Sequence, residues 1–534
     1  MSPFSFQQQI GYPILSMIVF LPLLGILGMF FIPRHKEEII RRYTFGVMFL
    51  DLILVVKLFA YFDSNTAQMQ FVEQIPWIDL LGVSYHLGID GISLLLLFLT
   101  TFLGTISVLS AWKAIKERVK DFMVCMLLLQ VGVLGVFASL DLFLFYIFWE
   151  VMLIPMYFII GIWGGERRLY SAIKFFIYTL SGSLVMILGI LAIYFNYHEY
   201  ALVNNITPAY SFNLLELYKI PIESHKQLWI FVCLFFGFAV KVPVFPLHTW
   251  LPDAHTEAPT AGSVILAGTL LKLGVYGFLR VSIPILPHAS HQAVPVIMVL
   301  SVAGIIYGAK VAMAQTDMKK LIAYSSVSHL GFVTLGIFLF NQRGMEGGVL
   351  QMFNHGLSTG ALFLLVGLLY ERRHTRQISE FGGLSKQLPV FAVFYAVATF
   401  SSIGMPGLNG FIGEIFILIG AFQSNKIYAA FLVAGIVLGA AYMLWLFQRI
   451  MFGGLDNPEN SQLADLSKRE FATLIPIVIL MFWIGLYPTP FLKIIHPAAE
   501  NLLANYQAGQ VVAVAGENTN RLQAPGVRLQ AKKD

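Results

Sequence analysis

The chain is poor in charge and almost without cysteine. Charged residues make up 12% of its 534 positions, about half the roughly 25% usual for soluble domains. That scarcity excludes a string of soluble domains, because no soluble globule of this length hides so much apolar surface. The two cysteines, Cys125 and Cys233, lie in separate apolar runs, which excludes a disulfide framework, a zinc spacing and a cysteine-held iron–sulfur cluster. A phosphate loop, a dinucleotide fingerprint and a His-Glu-x-x-His metal motif are missing too, so no bound redox cofactor is expected on this chain. Basic residues are also missing ahead of the first apolar run, about Tyr12 to Ile32, which is too long for a signal core. That run reads as an uncleaved first span.

What fills the sequence is apolar. Hydrophobic residues are 57% of the chain and mean hydropathy is +0.76, values that fit a polytopic membrane protein. Apolar runs of spanning length recur about fourteen times. They fall near 11–32, 44–61, 91–112, 121–139, 141–162, 172–195, 228–254, 258–281, 292–314, 318–339, 346–371, 388–422, 427–450 and 470–494. The expected fold is all-α with about 14 transmembrane helices. After about Gln507 only Val511 to Ala515 is apolar, and the polar tail is expected to be disordered.

Net charge is +5, and its distribution is more informative than its sign. Lys and Arg crowd the odd loops: Arg34, Lys36, Lys113, Lys116, Arg118, Lys120, Arg167, Arg168, Lys319, Lys320, Arg372, Arg373, Arg376, Lys468 and Arg469. Loops two and four hold none, and loops six, ten and twelve one or two each. The positive-inside rule then puts the odd loops in the cytoplasm or matrix and both termini on the opposite, periplasmic side.

An ionisable residue at mid-bilayer costs about 2.5–3.5 kcal/mol on insertion scales, which marks it as functional by default. Six such residues stand at similar depth: Glu150 in span five, Lys241 in span seven, Lys272 in span eight, His329 in span ten, His355 in span eleven and Glu414 in span twelve. For the histidines the plain alternative is a neutral ring bridging helices; for the others it is a static ion pair, rarely better than apolar packing. Lys174, Lys310 and Lys320 lie near span ends and can snorkel. Asp90 and Asp317 directly precede spans and read as helix caps.

Spans seven and twelve are overlong and interrupted. Pro243 and Pro246 break the first just after Lys241, and Pro406 and Gly407 break the second just before Glu414. Irregular backbone at membrane depth survives only inside protein or beside water. The two spans are five apart, so they run in opposite directions, and paired broken helices in inverted halves mark a secondary-transporter core. The expected division is 1–120 (spans one to three), 121–281 and 292–450 (two inverted five-helix repeats), 451–500 (a loop and span fourteen) and a polar tail, 501–534. Helix dipoles suit the charges: Lys241 closes a half-helix and Glu414 opens one.

The runs Gly88-Ile89-Asp90-Gly91-Ile92-Ser93, Phe148-Trp149-Glu150, Lys241-Val242-Pro243, Pro246-Leu247-His248-Thr249-Trp250-Leu251-Pro252-Asp253-Ala254-His255 and Met405-Pro406-Gly407 resemble the antiporter-like subunits of respiratory complex I, the M type most closely. The likeness covers nearly everything but the tail. Glu414 points to the M type, because sister subunits and the multisubunit Na⁺/H⁺ antiporters carry lysine there. The resemblance implies an ion pair of Glu150 with Lys241, a central Lys272, connecting His329 and His355, and a terminal Glu414. His248 is a candidate for an access channel. The resemblance further implies proton translocation driven by quinone reduction elsewhere, with NADH, FMN, iron–sulfur clusters and quinone on other subunits. Expected partners are the other membrane-arm subunits, especially sister subunits L and N, and the lipid bilayer, without nucleic acid. The expected location is the bacterial inner membrane. Rival readings are a multisubunit cation/proton antiporter, a membrane-bound hydrogenase and a purely structural spacer; mid-membrane charges of this number argue against the last.

Overall fold

The computed structural model describes residues 5–523, with side chains through Gln510. Eleven helices among them are long and apolar enough to cross a membrane. Every expected apolar run is occupied by helix, and the helices are numbered here in chain order. The N-terminal group is α1 (Ile14–Met29), α2 (Glu37–Tyr61) and α3 (Gly91–Ala114). Next come α4 (Val119–Ala138), α5 (Leu142–Trp163), α6 (Arg168–Val203), α7 in two halves (Ser224–Lys241 and Trp250–Glu257) and α8 (Thr260–Ile285). Then follow α9 (Val294–Met313), α10 (Met318–Phe338), α11 (Gln342–Arg373), α12 in two halves (Pro389–Ser402 and Asn409–Ser424), α13 (Lys426–Met451), α14 (Lys468–Leu486) and α15 (Thr489–Gln523).

The apolar residues of α8 and α11 are buried around the whole helix, and those of α3 and α10 nearly so, whereas α2, α9 and α13 have less than half of theirs buried. A helix that is apolar all round belongs at the centre of a bundle, so α3, α8, α10 and α11 form the core. Each of α8, α10 and α11 carries one or more of the expected mid-membrane groups. Gly268 of α8 and Gly356 of α11 face each other, and a Cβ on Gly356 would stand 3.0 Å from the Gly268 carbonyl oxygen. That close approach lets a side chain on one helix reach the other.

Several features depart from the expectations. The two prolines of α7 and the Pro406–Gly407 turn do break their helices, between Lys241 and Trp250 and between Ser402 and Asn409. A third break, not foreseen, divides α5 into Leu142–Val151 and Leu153–Trp163. Pro155 has no N–H to give the Val151 carbonyl, so the ladder opens there, one residue beyond Glu150. Helix α8 contains two π-helical stretches, Leu266–Leu270 and Phe278–Ser282, which frequently accompany functional sites. The polar tail is also different: α15 stays helical to Gln523. Its first turns dock through Leu502, Leu503 and Tyr506, with the Tyr506 ring stacked 3.8 Å from Phe340, and a docked turn propagates helix at little further cost. The rest of the tail, 524–534, lies outside the described residues.

The loop between α2 and α3 folds as an antiparallel hairpin, β1 (Gln70–Ile78) and β2 (Val83–Ile89), with Ile75 opposite Tyr85. Its β-branched and aromatic residues, among them Phe71, Val72, Ile75, Val83 and Tyr85, are types that fit a pleated, half-buried surface. Buried Glu73 ties it to α1, accepting from the backbone N–H groups of Leu15 (2.7 Å) and Ser16 (3.1 Å). This places a carboxylate at a helix N-terminus, where the dipole favours it. Burial lifts the Glu73 carboxyl above its ordinary value, against the hydrogen bonds of Ser16 and Leu15. On β2, burial pushes the His86 imidazole down to about 4.

Candidate functional site

The expected groups divide between two places. The first is the break of α5 against that of α7. Lys241 is the last residue of its half-helix, and Trp149 and Phe175 wall it in; its ammonium lies 5.7 Å from the Trp149 ring and 5.5 Å from that of Phe175. It is 1% exposed. Glu150 interacts with its charge and is held by Tyr146 and Ser183. The expected ion pair is, however, not closed: Glu150 Oε1 and Lys241 Nζ are both buried without a hydrogen-bond partner. The lysine rests on aromatic faces, which attract a desolvated cation but leave its donors free.

The second place is the bundle centre, where four of the six groups stand in line. Lys272 Nζ donates to the Ala267 carbonyl oxygen at 2.5 Å and lies 2.7 Å from His355 Nδ1. The carbonyl it reaches lies in the π stretch of its own helix. The His355 and His329 rings have centroids 6.0 Å apart. His329 Nδ1 is 3.6 Å from Glu414 Oε1, and its Nε2 is 3.5 Å from Ser402 Oγ. Gln351 Nε2 donates to Glu414 Oε1 at 3.4 Å. The line thus runs α8, α11, α10, α12, and ends beside the α12 break. Gly404, in the break, has φ +70°, and a Cβ there would strike the Glu414 carboxylate. Only glycine satisfies both the backbone and that approach.

Other expected residues fall as follows. His248, 2% exposed, lies in the α7 break among Phe245, Tyr307 and Tyr324. Asp90 and Asp317 do cap their helices, accepting from the Ser93 and Lys320 N–H groups. Each also has a cation the cap reading did not foresee: Arg280 at 2.8 Å for Asp90 and Arg376 at 3.3 Å for Asp317. Lys310 is exposed, and Lys174 pairs with Asp253 at 2.7 Å.

Several polar groups were missed. Asp51 is fully buried in α2 and accepts from Gln130 Nε2 at 2.6 Å; its flanks, Leu50 and Leu52, carry the same signal that marked Glu150. Lys319, counted among the odd-loop charges, is buried and donates to the Ala258 carbonyl oxygen at 2.7 Å. His255 is fully buried, stacked 4.6 Å from the Phe363 ring, with both ring nitrogens unpartnered. It feels the charges of both Lys319 and Lys272, which continues the polar line from the bundle centre toward the odd-loop face. His255 lay inside a run of residues already singled out, but no spacing rule distinguished it from its neighbours.

Such an arrangement can hold and pass protons through a bilayer: ionisable side chains at mid-depth, broken helices beside them, and hydrogen-bonding neighbours linking four helices. Comparison with known proteins agrees. Residues 139–439 match the family described as NADH:quinone oxidoreductase/Mrp antiporter, TM. The chain is 44% identical over 500 residues to the NADH-quinone oxidoreductase subunit M of Rickettsia bellii, covering 92% of this chain and 99% of that one. It also superimposes on a chain of respiratory complex I from Thermus thermophilus with TM-score 0.82 and 32% identity, over 92% of this chain and 99% of that one. A chain of the Mrp complex from Dietzia sp. shares the fold, with TM-score 0.80 over 94% and 100% of the two chains, at 21% identity.

Proposed function

The chain belongs to the NADH:quinone oxidoreductase/Mrp antiporter membrane family, and we propose that it serves there as the M-type, proton-translocating membrane-arm subunit of NADH–quinone oxidoreductase. Its enzyme membership is through that complex; the redox groups, NADH, FMN, iron–sulfur clusters and quinone, sit on other subunits. The observation that carries the reading is the line Lys272–His355–His329–Glu414, which joins four helices at the centre of the bundle.

Moving one proton against the membrane potential costs roughly 2.3 kcal/mol per 100 mV. A neighbouring charge alters the proton affinity of a buried group by amounts of that order. The open Glu150–Lys241 pair is the switch: when it closes, the Lys241 charge is neutralised by Glu150, and when it opens that charge acts on Lys272. Lys272 then passes its proton to His355, His329 and finally Glu414, which faces the α12 break. His248 belongs to the access route at the α7 break. The two halves, α4–α8 and α9–α13, are inverted repeats, which the matched breaks in α7 and α12 support.

The partners are the membrane-arm sister subunits L and N and the surrounding lipid. The chain resides in the bacterial inner membrane with the hairpin and both termini on the periplasmic side, as the Lys/Arg asymmetry supports. Single cysteines test the orientation. In a background without Cys125 and Cys233, Leu80→Cys at the hairpin should react with an impermeant thiol reagent in spheroplasts, and Lys116→Cys only after permeabilisation. The reverse pattern rejects the orientation.

The function is tested with the purified complex in proteoliposomes. Glu150→Gln and Lys241→Ala should leave assembly and NADH oxidation largely intact while protons moved per NADH fall. Unchanged pumping in both variants removes the switch. A tagged chain that purifies with cation/proton antiporter subunits and without NADH dehydrogenase activity replaces the reading with the antiporter one.

A further inference from the structure

A second polar cluster lies outside the line of six. On α8, Lys272, Tyr276 and Arg280 are spaced four residues apart, one above another on one helix face, each step rising about 6 Å. Tyr276 Oη donates to the Phe137 carbonyl oxygen at 3.0 Å and sits 2.9 Å from Ser93 Oγ, a contact in which either hydroxyl can be the donor. Arg280 donates from Nε to Tyr276 Oη at 3.2 Å and from Nη2 to Ser93 Oγ at 3.2 Å. Its Nη2 also lies 2.8 Å from Asp90 Oδ1. Tyr218 Oη donates to the Arg280 carbonyl oxygen at 2.7 Å. Ser93, Tyr276, Asp90 and Arg280 are all buried from the outer surface. Above them opens a cavity of about 420 Å³, walled by Asp90, Tyr218, Tyr276 and Arg280 on one side and by Asn501 and Asn505 of α15 on the other.

We propose that Tyr276, Ser93 and Asp90 form a second proton branch, leading from Lys272 to this cavity on the hairpin face, with Arg280 as its positioning residue. This deepens the function proposed above and rests on it. A static brace between α3 and α8 explains the Asp90–Arg280 pair, but it has no need of two hydroxyls joined to that pair, one of them a turn from Lys272 on α8, nor of a carboxylate facing a cavity. In the branch, water carries the Lys272 proton to Tyr276 Oη. The tyrosine hydroxyl turns from the Phe137 carbonyl and hands its own proton to Ser93 Oγ, and the serine hydroxyl's proton goes on to the Asp90 carboxylate, which shares Arg280 Nη2 with it. The ammonium becomes a neutral amine, the carboxylate becomes a carboxylic acid, and both hydroxyls are restored. Asp90 then releases the proton to water in the cavity, and its charge is again matched by Arg280.

The test uses the complete complex in proteoliposomes, reading protons per NADH. Lys272→Ala reports how much pumping this subunit carries. Tyr276→Phe removes one oxygen and keeps the ring that packs edge-on against Phe137, 5.2 Å between centroids. It is expected to lower protons per NADH part of the way toward the Lys272→Ala level, the His355 line remaining open, while NADH oxidation and complex yield stay at wild type, and Ser93→Ala is expected to do the same. Where a stranded Arg280 charge impairs assembly of Asp90→Asn, the double variant Asp90→Asn/Arg280→Gln removes both charges. Asparagine caps a helix as well as aspartate, so a merely structural role leaves pumping in the assembled double variant unchanged, whereas the branch predicts the same partial fall as in Tyr276→Phe. Wild-type pumping in Tyr276→Phe and in the double variant, with Lys272→Ala defective, overturns the branch alone. Wild-type pumping in Lys272→Ala overturns the function it rests on.

Discussion

Lys272 Nζ lies 2.7 Å from Nδ1 of His355 on a neighbouring helix, so one proton fits between the two nitrogens and two do not. Whichever side holds that proton, the other must accept it. The contact therefore ties the protonation of His355 Nδ1 to that of Lys272 and makes lysine and histidine a single acid–base unit spanning two helices.

Lys272→Arg distinguishes charge from proton transfer at this unit. Arginine keeps the cation but does not give up its proton in proteins. The variant is expected to assemble and oxidise NADH, with protons per NADH reduced as far as in Lys272→Ala. Wild-type pumping in it would mean that only the positive charge matters. His355→Leu, close in volume and unable to accept, should also reduce the ratio, though less than Lys272→Arg, because the Tyr276 branch stays open.

Glu414→Gln should impair pumping less than Glu150→Gln. Glu414 lies beside the α12 break, where water can stand in for a terminal carrier, while nothing replaces the charge of Glu150 acting on Lys241. Both variants are compared in matched vesicles, normalised to electron transfer. A Glu414→Gln defect as deep as that of Glu150→Gln reverses the ranking.

Gly404→Ala should destabilise the α12 break by about 1–2 kcal/mol for the left-handed backbone alone, and also displace the Glu414 carboxylate. The expected result is a lower midpoint for thermal dissociation of the complex together with reduced pumping. Gly46 of α2, where a Cβ meets nothing within 4 Å, is the control, and Gly46→Ala should leave both unchanged.

Acid should loosen the hairpin. Burial holds the native His86 imidazole at about 4, below its unfolded value near 6.5. The unfolded strand therefore takes up protons first, and the stability present above pH 6.5 is lost as pH falls toward 4. Hydrogen-exchange protection of the β2 amides, corrected for intrinsic rates, should decrease between pH 7 and 5, and His86→Leu should flatten that dependence.

The helices were legible because a membrane span is a one-dimensional signal: length and hydropathy alone locate it. The breaks of α7 and α12 were legible because two prolines, or proline with glycine, interrupt an apolar run beside a charge. Pro155 is a single proline in a run of ordinary length, and the opening of α5 beside Glu150 went unread. Lys272, His329, His355 and Glu414 were found one at a time by insertion cost, which says nothing of distance; their adjacency comes from close α8–α11 packing at Gly268 and Gly356. Lys319 and Arg280 were hidden by position, since a cation near a span end is usually solvated. The hairpin escaped because a search for spanning runs passes over short segments with polar residues among the apolar ones.

The π stretch of Leu266–Leu270 has a consequence for anyone aligning this chain with its relatives. Such a stretch is one residue in excess of regular α-helix, and each residue turns a helix by about 100°. Shortening that stretch by one position would leave an uninterrupted, equally apolar helix that still crosses the bilayer. It would also swing the Lys272 side chain a quarter-turn or more away from α11. Hydropathy would register no loss. A one-position gap between Leu266 and Leu270 in a related sequence is thus a diagnostic character: it separates chains that can present a lysine to His355 from chains that merely contain one.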